Sequence, residues 1–126
     1  MFTIDKDKTI HLTRGDVASI EITAVDNDGN PYTFRTGDVV RFKVIERKDC
    51  NCVKMYKDVT VREPVESVTF WLESKDTKID SLINKPRDYW YEVELNPDIA
   101  PQTIVGYDKD GAKTFRLYPE GSEVNG

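Results

Sequence analysis

Residues 88–95 read Asp88-Tyr89-Trp90-Tyr91-Glu92-Val93-Glu94-Leu95. Successive side chains of an extended chain point to opposite faces. Tyr89, Tyr91, Val93 and Leu95 therefore share one side, and Asp88, Trp90, Glu92 and Glu94 share the other. A period of two, carried by aromatic and β-branched residues, marks a strand with one buried and one wet face. Working outward, residues 67–73 place Val68, Phe70 and Leu72 together and turn Trp71 away from them. Residues 39–46 set Val40, Phe42 and Val44 against Arg41 and Lys43, and residues 17–25 align Ala18, Ile20, Ile22 and Ala24. Weaker strands are expected at about 9–13, 53–61, 102–108 and 113–118.

Composition agrees with this pattern. Val, Ile and Thr number 33, whereas Ala and Leu number nine. Branching at Cβ restricts rotamers in a helix and suits a pleated sheet. Turn signals punctuate the runs: Arg14-Gly15-Asp16, Asp26-Asn27-Asp28-Gly29-Asn30-Pro31 and Asp108-Lys109-Asp110-Gly111. The last predicts a hairpin between the final two strands, because Asp-Gly accepts the positive φ of a type I′ turn. One short helix, of one or two turns at most, is predicted near residues 75–83, capped by Ser74 and ended by Pro86. About seven to eight short strands with such turns predict an all-β, immunoglobulin-like β-sandwich. The 126 residues are read as a single domain, 1–126, with an amino-terminal arm at 1–8 and a loose polar tail at 119–126.

The net charge is −5, with 18 basic and 23 acidic residues intermingled. That balance does not suit a phosphate backbone, so no nucleic acid is expected, and no membrane partner is expected either. No apolar run approaches the roughly 18 residues of a membrane span. The start of the chain has no apolar core of a secretory signal.

Candidate chemistry is sparse. His11 is the lone histidine, and it lies in a threonine-rich strand with no nucleophile near it in sequence. Cys50 and Cys52 flank Asn51. A bridge across one residue would be strained, and a zinc site needs four ligands, so two reduced thiols are expected. A calcium loop counted from Asp26 or Asp108 puts Gly37 or Pro119 where the bidentate acid belongs. The seven glycines form no phosphate-binding loop. No enzyme activity, cofactor or metal is expected. Trp71 and Trp90, both predicted to face outward, are the candidate binding residues of an interface. Large aromatics bury much area with few rotors to freeze.

The order of these segments also resembles a known family. It runs through Thr9-Ile10-His11-Leu12-Thr13-Arg14-Gly15-Asp16, then Asp28-Gly29-Asn30-Pro31-Tyr32, then Thr36-Gly37-Asp38. Next come Val39-Val40-Arg41-Phe42-Lys43-Val44, residues 72–77 and Tyr89-Trp90-Tyr91-Glu92-Val93-Glu94-Leu95. Over about residues 8–118 this is similar to the amino-terminal β-sandwich domain of upper baseplate proteins of phages and prophages of Gram-positive bacteria. The resemblance implies a structural, virion-associated tail or baseplate protein, made in the bacterial cytoplasm and incorporated in the virion. Its partners would be other phage tail or baseplate proteins and symmetric copies of itself. The alternative is a non-catalytic module that recognises a host-surface glycan through exposed aromatics.

Overall fold

The computed structural model describes residues 2–4, 8–26, 28–46, 52–80, 84–106 and 111–120. Burial alternates along its strands as the side-chain pattern requires. In β3 (Ala18–Ile22) Ala18, Ile20 and Ile22 are buried while Ser19 and Glu21 are exposed. The same alternation buries Val40, Phe42 and Val44 in β4 (Val39–Ile45), and Val68, Phe70 and Leu72 in β6 (Val68–Leu72). It buries Tyr89, Tyr91, Val93 and Leu95 in β7 (Arg87–Leu95). The remaining strands are β1 (Phe2–Ile4), β2 (Ile10–Thr13), β5 (Val53–Thr60), β8 (Gln102–Val105) and β9 (Lys113–Tyr118). Among the described residues the chain is all-β apart from one helical turn.

The larger sheet is mixed and curled, in the order β1-β2-β9-β7-β4-β5. The β2–β9 pair is parallel, with Ile10 opposite Phe115. β7 is the hub. Its first half pairs with β9 and its last residues with β8, while β4 lies along its other side. The smaller sheet is the antiparallel pair β3–β6. The inner faces of the two sheets meet in one core, where the Phe42 ring lies 5.7 Å from that of Phe70 and 5.6 Å from that of Tyr91. Such density is what lets a lean apolar complement exclude water.

Three expectations need correction. The helix α1 (Ser74–Thr77) is a single turn. Its N-cap is Glu73 rather than Ser74, in a capping box with Asp76. Ile79 then turns into the core and Asp80 adopts a left-handed φ of 60°, which ends any helix there; residues 81–83 lie outside the described residues. Second, β8 and β9 do not form a hairpin with each other: both pair with β7, one after the other. The turn itself, 107–110, lies outside the described residues. Third, Cys52 is disulfide-bonded rather than a reduced thiol, and Cys50 lies outside the described residues. Within the amino-terminal arm, Phe2–Ile4 pairs antiparallel with β2. Residues 121–126 of the expected tail are not among those described.

Candidate functional site

Both tryptophans face outward, as alternation requires, but they occupy opposite outer faces. Trp71 stands opposite Ser19 on the small sheet and is 68% exposed. Its register neighbours on that face are Glu21 and Thr69, and Val17, just before β3, is 70% exposed. Trp90 stands on the large sheet between Ile45 and Thr114 and is half-buried. A single aromatic platform uniting the two indoles is therefore not formed.

The rest of the large sheet's outer face is a lattice of matched charges. Arg41 donates to both oxygens of Asp58, at 2.7 and 3.0 Å, and reaches Asp98 at 3.3 Å. Lys43 meets Glu94 at 2.8 Å and Glu92 at 3.6 Å. Arg116 grips Asp88 at 2.7 and 3.2 Å. His11 Nδ1 lies 2.8 Å from the Tyr118 hydroxyl, and the two rings stack. The one histidine is thus built into the sheet surface. Pairing consumes the charges that would otherwise dominate the face, and exposed pairs of this kind add little stability.

The end of the fold next to the start of β7 is closed by a polar plug. Gly15, at φ +88°, lets β2 turn sharply towards β3, and its N–H donates to Thr77 Oγ1 at 2.9 Å. Thr77 is fully buried, and its hydroxyl donates to the Asp16 carbonyl at 2.9 Å. Arg14, only 7% exposed, donates to the carbonyls of Ile79 and Asp80 at 3.4 and 3.0 Å. The Arg14-Gly15-Asp16 tripeptide is therefore a structural turn with its arginine inside. Asp80 accepts from the Tyr89 hydroxyl at 2.6 Å and from Lys54 at 2.9 Å. Lys57 reaches Asp76 at 2.6 Å. Burial, then the Asp80 hydrogen bond, pushes the Tyr89 hydroxyl up to about 12.

Sequence reasoning missed this plug because its members are scattered along the chain. At the far end Asp38 accepts from the Tyr32 hydroxyl at 2.8 Å and the Arg35 N–H at 2.9 Å, partners within six residues of it in the chain. The Asp26 turn was legible: its Oδ1 accepts the N–H groups of Asp28 and Asn30, the work of a turn rather than of a cation site. Among the described residues no cluster of three His, Cys, Asp or Glu side chains is placed to hold a metal, and no helix is long and apolar enough to cross a membrane.

These carboxylates set a pH dependence. At Asp38, Asp76 and Asp80 burial is the largest single influence and pulls the pKa up, but hydrogen bonds and nearby cations together hold each below the ordinary 3.8. A depressed folded-state pKa stabilises the fold above the unfolded value, and that stability is lost as pH falls through the folded one. Thermal unfolding followed from about pH 6 to about pH 2 should therefore show melting temperature falling below the ordinary carboxylate range. Asp80→Asn should lower the plateau and shallow the acid limb; an acid limb as steep as that of the wild type would remove Asp80 from this account.

A cleft of about 680 Å³ opens at the end of the fold away from the plug. One wall is β8, through Gln102, Thr103 and Ile104, and the other is the segment 23–26 that continues β3. Leu95, at the end of β7, also lines it. No protein-family model, no curated protein and no solved structure matches this chain.

Proposed function

We propose that this chain is a structural component of a phage or prophage tail or baseplate, acting through protein–protein contact and catalysing no reaction. It is made in the bacterial cytoplasm and built into the virion, beside other tail proteins and copies of itself. The fold within this reading is an immunoglobulin-like sandwich. Supporting it is the strand order: β9-β7-β4-β5 matches the G-F-C-C′ order of variable-type domains, and the facing β3–β6 pair matches B and E. The resemblance of residues 8–118 to upper baseplate proteins points the same way.

The observation that carries the reading is Trp71. An indole 68% exposed on a regular sheet face, near an equally exposed Val17, leaves most of its surface uncovered by the chain. Burying such a side chain against a partner is worth about 1.5–3 kcal/mol, the scale of an interface hot spot. The matched charges around Trp90 suit a neighbour too, but its half-buried seat gives it a share in folding. Glycan recognition is the weaker reading, because register separates the two indoles onto opposite faces.

The test is sedimentation velocity of the wild type, Trp71→Ala and Trp90→Ala, with melting temperature in parallel. Trp71→Ala should weaken association by about tenfold or more with little change in melting temperature. Association equal to that of the wild type would take the contact away from Trp71.

A further inference from the structure

We propose that the cleft between β8 and residues 23–26 receives an extended, uncharged peptide segment of another protein as an added strand. Among the described residues, β7 is the only strand paired with β8. β2 flanks β9 from Ile10, opposite Phe115, and among the described residues does not pair with β8. On the facing wall, the Ala24 carbonyl accepts from Tyr32 and the Asp26 N–H donates to Asn30, which uses one side of that segment. Two strand-like walls thus face each other across a space within the roughly 300–1,000 Å³ typical of ligand clefts.

The contrast with β5 sharpens the inference. Open edges are ordinarily guarded by charge, especially by lysine turned inward. β5 has this protection: Lys57 stands opposite buried Phe42 and pairs with Asp76, and Lys54 pairs with Asp80. The four residues of β8, Gln102–Val105, carry no charge at all. Val25, an apolar side chain that lines the cleft, is 70% exposed.

Charge selects the occupant. Among the described residues the charged side chains lining the cleft are Lys8 and Asp26, of opposite sign, and β8 itself carries none, so an uncharged segment matches these walls. Leu95, Ala24 and Ile104 offer an apolar surface for alternate side chains, while backbone groups supply the pairing of strand addition. A sugar is less well served. The Tyr32 hydroxyl is spent on Asp38, its ring meets Phe34 edge-on, and Asp26 Oδ1 already accepts two N–H groups.

The experiment is an amide-resolved NMR titration of the full chain with a blocked peptide of alternating threonine and valine, and separately with maltotriose. The expected result is shifts confined to Gln102–Val105 and Thr23–Asp26 with the peptide alone. Thr103→Lys, at an exposed position that guards the edge, should weaken binding by about tenfold or more. Thr103→Ser should bind as the wild type does, and so should Trp71→Ala, since Trp71 does not line the cleft. Peptide binding unaffected by Thr103→Lys, no shifts in β8, or shifts with maltotriose in place of peptide would each overturn the proposal. None of these outcomes bears on the Trp71 contact, which lies on a different surface.

Discussion

Phe42→Ala is expected to lower the unfolding free energy by about 3–5 kcal/mol, the usual cost of emptying a buried phenylalanine site. Phe42 is fully buried in β4, and its ring lies 5.7 Å from Phe70, 5.6 Å from Tyr91 and 6.4 Å from Phe115. Phe70 belongs to the small sheet, and the other two belong to strands of the large one. Removing the ring therefore opens a cavity where the sheets meet, and packed neighbours collapse only in part. Small domains have about 5–15 kcal/mol in total, so this one substitution takes a large share. Denaturant unfolding should show a lower midpoint with the slope m unchanged. A loss below about 1 kcal/mol would mean that the ring is not at a packed junction.

The second large effect is expected at Arg14. Arg14→Met keeps an apolar stem in place but strips the Ile79 and Asp80 carbonyls of their donor. A buried acceptor left unsatisfied costs about 1–3 kcal/mol, and this falls on the Ile79 carbonyl, since Asp80 is exposed; a loss of about 1–3 kcal/mol is expected. Lysine should recover only part of it, because a point charge does not reproduce a planar fork reaching two carbonyls. Thr77→Val breaks the same plug by removing the acceptor for Gly15 N–H and the donor to Asp16. The double variant should lose less than the sum, since both belong to one network. Strict additivity, read from chemical denaturation, would show two independent sites instead.

The fold was legible where physics is local. Alternation along 39–46, 67–73 and 88–95 placed the strands and their inner faces, because one side of each strand had to be buried. It also turned Trp71 outward. Reading failed where a partner distant in sequence decides. Asp110-Gly111 looks like a hairpin turn, yet β7 is long enough to pair with β8 and β9 in succession. The helix keeps to one turn at the start of the expected span, because Ile79 is claimed by the core instead of by another helical turn. Arg14 looked like one side of a turn, and nothing in its neighbours announces the carbonyls it meets more than sixty residues later.

The candidate site shows the same division. Trp71's exposure follows from its own strand, so the sequence sufficed. The cleft follows from how β2 pairs with β9 and from how β8 pairs with β7, and neither is written in any short stretch. Trp90 falls between: its outward direction was readable, but its half-buried seat between Ile45 and Thr114 depends on register.

The central claim is that this chain works by assembling. The most direct measurement is its molar mass by light scattering after size-exclusion chromatography, over a wide range of concentration. The account predicts a discrete multiple of the 14.5 kDa chain mass. A mass of 14.5 kDa at every concentration would contradict it.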